Sequence, residues 1–146
     1  MQRVASASVA ADEGRYAAIG PGMVVLLGIA PGDRDRESAW MSRKLAALRI
    51  FEDSEGKKNR SLRDTGGEAL LVSQFTLYGD ASRGNRPGFS GAARFEDALP
   101  VYERFVDMFE EEISRPVATG WYGADMQLTI LNDGPVTLII DTPTQP

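Results

Sequence analysis

A short, continuous apolar segment limits the possible folds of this chain more than any other feature. Residues 23–29, Met-Val-Val-Leu-Leu-Gly-Ile, stand between a Gly-Pro-Gly break at 20–22 and a Pro-Gly break at 31–32. A short run of β-branched and aliphatic residues between turn residues is typical of a strand buried on both faces. The segment therefore predicts a buried central strand in a sheet.

Two other segments have the spacing of helices. Apolar residues recur at intervals of three and four over residues 33–49 and again over residues 91–115. Asp33 or Asp35 is the expected N-cap of the first helix. Pro100 is the expected start of the regular part of the second, because proline is tolerated in the first turn of a helix.

Shorter runs between turn residues predict the remaining strands. They cover residues 4–9, 16–19, 49–51, 69–75, 126–131 and 136–140, with turns at 13–14 and 132–135. The polar segment 52–65 is predicted to be a loop. The expected fold class is α+β, a mostly antiparallel, barrel-like sheet with two helices packed on it.

Composition predicts one globular domain, residues 1–146. Hydrophobic residues make up 42% of the chain and charged residues 25%, which is enough apolar material for a core. No segment has the length of a membrane span or the pattern of a signal peptide, so a cytoplasmic protein without a membrane partner is expected. The net charge of −5 argues against nonspecific nucleic-acid binding, and no DNA partner is expected.

The chain contains no histidine and no cysteine. A Ser-His-Asp triad, a thiolate nucleophile and a zinc site with His or Cys ligands are therefore excluded. Carboxylates, hydroxyls, Lys, Arg and backbone amides remain for chemistry. Oriented backbone amides stabilise a developing oxyanion without any titrating group, so an enzyme of this composition depends on positioning.

Two short polar segments stand beside predicted strands. Residues 73–77, Ser-Gln-Phe-Thr-Leu, offer hydroxyl and amide groups, and residues 132–137, Asn-Asp-Gly-Pro-Val-Thr, offer backbone with almost no side chain in the way. Alone, the first is also typical of a solvent-facing strand and the second of a tight turn. Their occurrence in one chain favours two parts of a site that polarises a small polar substrate.

With these two motifs, the chain resembles the D-aminoacyl-tRNA deacylases, also called D-tyrosyl-tRNA deacylases. The resemblance covers nearly the whole sequence. Further similar segments are Gln2-Arg3-Val4, Leu48-Arg49-Ile50-Phe51-Glu52-Asp53, Gly84-Asn85-Arg86-Pro87 and Tyr122-Gly123-Ala124-Asp125-Met126. The resemblance implies hydrolysis of the ester of a D-amino acid, or of glycine mischarged on an alanine tRNA, with release of free tRNA. No cofactor and no metal are expected.

The resemblance also implies a homodimer in which each subunit lends a Gly-Pro element, with a cis bond before Pro135, to the other subunit's site. The implied catalytic residues are Ser73, Gln74, Phe75 and Thr76, and the implied substrate-binding residues are Asn132, Gly134, Pro135 and Arg3. L-aminoacyl esters are expected to be rejected by steric clash. A non-covalent mechanism is favoured, because a threonine nucleophile needs a neighbouring base.

Basic residues provide the expected contacts with tRNA. The candidates are Lys57, Lys58, Arg83 and Arg86. Lys58 and Arg60 stand where the family pattern has Met and Leu. Two alternatives stay open: a deacylase of altered specificity that acts on L-alanyl esters, and a noncatalytic RNA-binding homologue.

Overall fold

The computed structural model describes residues 1–144. The strands are β1 (Gln2–Ala10), β2 (Tyr16–Ile19), β3 (Gly22–Leu27), β4 (Phe51–Glu52), β5 (Lys58–Arg60), β6 (Glu68–Ser73), β7 (Ala118–Thr119) and β8 (Gln127–Thr137). The helices are α1 (Asp35–Ala47), α2 (Leu62–Thr65) and α3 (Phe95–Ile113), and Phe75–Tyr78 form one turn of 3-10 helix. No helix within residues 1–144 has the length and apolarity needed to cross a membrane.

One sheet carries the fold, in the order β2-β1-β3-β6-β7, and β8 also pairs with β1. Strand β1 is antiparallel to β2, β3 and β8, whereas β3–β6 and β6–β7 are parallel. A two-stranded antiparallel ribbon, β4–β5, stands apart from this sheet. The expected α+β class, with a barrel-like sheet and two long helices packed on it, is confirmed.

Side chains of β3 alternate between two apolar cores. Met23 and Val25 join one core with residues of α1 and α3, among them Leu45, Phe105 and Phe109. Val24 joins the other core with residues of β1, β2 and β6, among them Val4, Ile19 and Leu70. Successive side chains of a strand point to opposite faces, so burial on both faces makes β3 the predicted central strand. The strand ends at Leu27 rather than at Ile29.

Both predicted helices form, but their starts differ from expectation. Helix α1 begins at Asp35, and the Glu37 carboxylate accepts a hydrogen bond from the Arg34 N–H at 2.9 Å. Neither expected cap is correct: Arg34 is the N-cap, Asp35 is the first residue of the helix, and the Asp33 carboxylate accepts from the Ala30 N–H instead. Helix α3 begins at Phe95, so the expected start at Pro100 is wrong. Pro100 lies on an exposed position inside the helix, where it removes only one hydrogen bond.

The predicted polar loop 52–65 contains two regular elements. Strand β5 pairs with β4, and α2 begins after Ser61, whose hydroxyl accepts from the Asp64 N–H. The Asp64 carboxylate accepts from the Ser61 N–H in return, which makes a reciprocal cap. The Ser-x-x-Asp spacing is the signal in the sequence that the loop prediction overlooked.

The two predicted final strands, 126–131 and 136–140, are one strand. β8 runs from Gln127 to Thr137, and it pairs with β1 over residues 127–132 and again at Thr137, so residues 132–135 lie inside it. The turn predicted there is wrong, because pairing with β1 on both sides of these residues keeps the chain running in one direction.

Candidate active site

The first polar motif lies where β6 ends. Ser73 pairs with Leu27, the last residue of β3, and the Gln74 N–H donates to the Leu27 carbonyl at 2.7 Å. The chain then turns into the 3-10 helix Phe75–Tyr78. We call residues 73–78 the Ser73 half-site. Its backbone is fixed by the parallel pairing of two buried strands.

The 3-10 helix leaves two backbone donors at its start. The first i to i−3 hydrogen bond in this turn runs from the Leu77 N–H to the Gln74 carbonyl, at 3.3 Å. The N–H groups of Phe75 and Thr76 precede it and therefore have no acceptor within the helix. Both residues are exposed. Two adjacent, oriented amides of this kind suit a carbonyl oxygen that gains negative charge.

Thr76 is held by Gln74. The side-chain amide of Gln74 donates a hydrogen bond to the Thr76 hydroxyl oxygen. In residues 1–144 no carboxylate or amine is hydrogen-bonded to that hydroxyl. A threonine without a base is a poor nucleophile, so this geometry suits an orienting role.

Two residues that the motif did not include support the Ser73 half-site. A Cβ atom on Gly28 would lie 3.1 Å from a ring carbon of Tyr78 and 3.3 Å from the Gln74 carbonyl oxygen, so a larger residue would force the 3-10 helix to shift away from β3. The Tyr78 ring packs in the space this leaves. The signal in the sequence was the glycine that interrupts the apolar run 23–29.

An apolar cavity of about 430 Å³ adjoins this half-site. Leu77 and Tyr78 line it, together with Met41 of α1 and Ile140, but none of residues 73–76 does. Burial raises the pKa of the Tyr78 hydroxyl, and the negative charge of Asp33 adds to the effect. The tyrosine is therefore uncharged near neutral pH, and it joins the 3-10 helix to the lining of the cavity.

The second motif is a bulge in β8. Val4 of β1 is opposite Asn132 and Gln2 is opposite Thr137, so four residues of β8 stand against Arg3 alone. The extra residues bring Gly134 and Pro135 to the surface, and the peptide bond between them is cis. We call residues 132–136, together with Arg3, the Gly134 half-site.

Arg3 anchors this bulge from inside the protein. Its side chain is buried, with only 6% of the residue exposed. The guanidinium donates to the Asp133 carbonyl at 3.0 Å and to the Ile50 carbonyl at 2.7 Å. A Cβ atom on Gly134, where φ is +121°, would lie 3.0 Å from the guanidinium. The bulge is thus pinned on one side by a buried cation, and glycine is required at its tip.

One chain does not bring the two half-sites together. Ser73, the first residue of its half-site, pairs with Leu27, whereas Arg3 pairs with Met23, four residues earlier in the same strand. At about 3.3 Å per residue, the two points are about 13 Å apart along β3. No hydrogen bond joins the two half-sites anywhere in residues 1–144.

The four basic candidates for contact with tRNA divide between the half-sites. Arg83 and Arg86 are exposed on the loop that follows the Ser73 half-site, and an Asp80–Gly88 bridge closes this loop. Lys57 and Lys58 are exposed on the β4–β5 ribbon, which follows directly from Ile50, a partner of Arg3. Arg60, like Lys58, is an exposed residue of β5.

Asp and Glu residues do not gather near either half-site. Within residues 1–144, no group of three or more carboxylates is placed to hold a metal ion. The site therefore offers hydroxyls, amides and backbone donors, which suit an ester whose carbonyl is already activated.

Comparison with known proteins identifies the family of this chain. Residues 1–141 match the family described as D-Tyr-tRNA(Tyr) deacylase. The D-aminoacyl-tRNA deacylase of Chlorobium limicola is 62% identical over 98% of this chain and 95% of its own. That of Geobacter sulfurreducens is 49% identical over 97% of this chain and 93% of its own. This chain belongs to the D-aminoacyl-tRNA deacylase family, and it is an ester hydrolase that acts on D-aminoacyl-tRNA.

Two solved structures share the fold. One, named c-Myc DNA Unwinding Element Binding Protein, is 40% identical, with a TM-score of 0.89 over 98% of this chain and 97% of its own. The other, described as a probable eukaryotic D-amino acid tRNA deacylase, is 18% identical, with a TM-score of 0.77 over 92% of both chains. The second likeness concerns the fold alone.

Proposed function

We propose that this protein hydrolyses D-aminoacyl-tRNA, and glycyl esters mischarged on alanine tRNA, at sites that two copies of the chain build together. The observation that carries the proposal is the separation of the half-sites along β3. A pocket made of both motifs needs a second copy, in which the Gly134 half-site of one subunit meets the Ser73 half-site of the other. Such a homodimer has two equivalent sites.

Exposed apolar side chains beside both half-sites support this arrangement. Phe75 and Leu77 are 58% and 56% exposed, and Leu131 and Ile139, on either side of the Gly134 bulge, are 59% and 91% exposed. Apolar residues that cluster on a surface commonly mark a contact with another protein. Within residues 1–144, strand β8 pairs with β1 alone, so its other edge is open to a second copy.

Catalysis in this proposal rests on the free amides of the Ser73 half-site. The N–H groups of Phe75 and Thr76 bind the ester carbonyl oxygen and stabilise the negative charge that develops when water attacks. Thr76, held by Gln74, orients the ester, while Ser73 and Asn132 line the pocket. The 2′-hydroxyl of the terminal adenosine helps to activate the water, so the protein needs no titrating base.

Selectivity in this proposal comes from backbone. The carbonyl groups at Gly134 and Pro135 receive the α-amino group of the substrate, and Arg3 holds them from behind through Asp133. A fixed amino group and a fixed ester carbonyl leave one direction for the side chain. A D side chain or the hydrogen of glycine fits that direction, whereas an L side chain meets the rigid backbone.

Phosphates of the tRNA are bound by basic residues on both subunits. Arg83 and Arg86 of one subunit and Lys57 and Lys58 of the other flank the same composite site. Such contacts position an RNA without reading its sequence. We place this activity in the cytoplasm with translation, in one domain formed by residues 1–146, without a cofactor, a metal, a membrane or DNA.

The first experiment compares single-turnover hydrolysis of D-tyrosyl-tRNA and L-tyrosyl-tRNA by the native protein. Rapid loss of the D ester alone is expected. Equal loss of both esters contradicts the proposed selectivity, and preferential loss of an L-alanyl ester supports the alternative specificity. Absence of hydrolysis supports a noncatalytic RNA-binding role.

A second experiment tests whether two chains build each site. Gly134→Ala damages one half-site, and Phe75→Pro removes one of the two free amides of the other, so each purified variant is expected to be nearly inactive. After subunit exchange, a mixed dimer contains one intact site, and random pairing restores about a quarter of native activity. No recovery, despite verified exchange, would show that each site belongs to a single chain.

A further inference from the structure

Positive charge is concentrated in one part of this acidic chain. Residues 36–63 contain eight Lys and Arg and four Asp and Glu, although the whole chain has 16 and 21. This segment therefore carries a net charge of +4, and the rest of the chain carries −9. A concentration of positive charge attracts a polyanion, and the negative charge of the rest of the surface repels it from other faces.

Part of this segment forms an open groove at the carboxyl end of α1. Trp40, Arg43, Lys44, Ala47, Leu48 and Arg49 line it, and its volume is about 380 Å³. None of the lining residues is acidic. The Lys44 ammonium lies 5.3 Å from the centre of the Trp40 ring, which holds this long side chain over the groove.

The cations of the groove form no close ion pair within residues 1–144. Across residues 1–144, no carboxylate lies within 4.0 Å of the charged groups of Arg43, Lys44 or Arg49. All three are exposed. Arg49 instead donates to the side-chain oxygen of Asn59, at 2.9 Å, and so links the groove to the β4–β5 ribbon. Unpaired cations in a chain with excess acid are available to an external anion.

The groove lies on the same side of the protein as the Gly134 half-site. Arg49 precedes Ile50, whose carbonyl accepts a hydrogen bond from Arg3, and the same guanidinium holds Asp133. The opposite end of α1 lies beside the Ser73 half-site, because Asp33 and Tyr78 line one cavity. The 13 residues of α1 span about 20 Å, so the groove is well removed from the ester-binding amides of its own chain.

We infer that the groove formed by Trp40, Arg43, Lys44 and Arg49 binds the phosphodiester backbone of the tRNA acceptor arm whose ester occupies the composite site next to it. The inference rests on the proposed function, because Gly134 and the groove then flank the same substrate. The Trp40 face is covered by Lys44, so the groove binds phosphate rather than stacking a base. Binding is therefore independent of tRNA sequence.

The test uses a double variant, Arg43→Ala with Lys44→Ala, in the full-length protein. Binding of two uncharged tRNAs of different sequence is measured from 50 to 200 mM salt. Affinity is expected to fall about tenfold for both, and the slope of log affinity against log salt to decrease by about 2, one for each lost phosphate contact. Arg15→Ala is the matched control, because Arg15 also lies over a tryptophan ring, that of Trp121, but outside the groove.

Hydrolysis separates this inference from the proposed function. The double variant is expected to cleave D-tyrosyl-adenosine at the native rate and subsaturating D-tyrosyl-tRNA about tenfold more slowly. Native affinity for tRNA in the double variant would overturn the inference. An acidic protein surface would then be the ligand that fits the groove. An equal loss on both esters would also overturn it. If the native protein cleaves neither ester, the proposed function itself fails.

Discussion

The two half-sites are built in different ways. The Ser73 half-site continues a ladder of parallel hydrogen bonds between β3 and β6, both of which are buried. The Gly134 half-site is an excursion from β8, and its hydrogen bonds from the protein interior come from the side chain of Arg3. The Ser73 half-site is an extension of the core, whereas the Gly134 half-site is attached to the core through Arg3.

This difference indicates how the site divides its tasks. Backbone amides that stabilise charge must not move, and a ladder of main-chain bonds between buried strands keeps them in place. In the proposed dimer, the element that enters the neighbouring subunit has to project beyond its own sheet. A bulge with one buried anchor meets this requirement without disturbing the pairing on either side.

The largest effect is expected from Gly134→Ala. The new Cβ atom would approach both the Arg3 guanidinium and the Val136 N–H, and φ is positive. Displacement of the bulge by about 1 Å should lower single-turnover hydrolysis on the order of 100-fold. Gly14→Ala is the control: Gly14 has a similarly positive φ in a hairpin turn with open space around it, so it should lower stability alone. Equal losses of turnover in Gly134→Ala and Gly14→Ala would show that the position of the bulge does not limit hydrolysis.

Substitution of Arg3 should affect the Gly134 half-site and spare the other. Arg3→Met leaves the Ile50 carbonyl without its donor and should lower the free energy of unfolding by about 2 kcal/mol. Turnover should fall about tenfold because Asp133 loses its anchor. Arg3→Lys should recover little, since one ammonium does not reproduce two directed bonds. Denaturant unfolding and single-turnover rates measure both effects. A native rate in Arg3→Met would show that the bulge holds its shape unaided.

Thr76→Val tests the role of the Thr76 hydroxyl in the Ser73 half-site. It removes the hydroxyl that accepts from Gln74 but keeps the size and the backbone amide. If Thr76 only orients the ester, single-turnover hydrolysis should fall by less than about tenfold. Thr76→Ser, which retains the hydroxyl, should be close to native. Complete loss of turnover in the valine variant would identify Thr76 as a nucleophile.

The smallest effect is expected in the β4–β5 ribbon. The Asp53 carboxylate accepts from the Asn59 side chain and from the Lys57 and Glu55 N–H groups, and these bonds lower its pKa. Because the pKa of Asp53 is lower in the folded state than in the unfolded state, the ionised carboxylate stabilises the ribbon at pH values above its unfolded pKa. This contribution disappears as pH falls below about 4.

Asp53→Asn should therefore weaken tRNA binding about twofold at neutral pH and leave small-ester hydrolysis unchanged. Affinity for tRNA is measured at pH 7. A loss larger than twofold would show that residues of the ribbon besides Lys57 and Lys58 also position the tRNA.

The sequence predicted the Ser73 half-site more completely than the Gly134 half-site. The run 23–29 and the strand before Ser73 are local signals, and both produced the expected strands. The Asn-Asp-Gly-Pro segment is locally a turn, and the prediction of two strands followed from that preference. Pairing with β1 on both sides of the segment overrides the preference, and a local window does not contain that information.

The supporting residues were missed for a related reason. Gly28 and Tyr78 meet only after the chain has passed through α1 and β6, so their contact depends on tertiary packing. Helix α3 likewise extends before Pro100 because Ala98 is buried against the core. The absence of histidine and cysteine, in contrast, is read from the sequence directly, and it leaves carboxylates, hydroxyls, Lys, Arg and backbone amides for any chemistry.

The number of residues in the β8 bulge is independent of the register in which β8 pairs with β1. Pairing stops at Asn132 and resumes at Thr137, opposite residues of β1 that are only two positions apart. Residues inserted or deleted between these points would change how far the tip extends while every strand keeps its neighbour. Evolution can therefore adjust the reach of this segment without redesigning the fold that carries it.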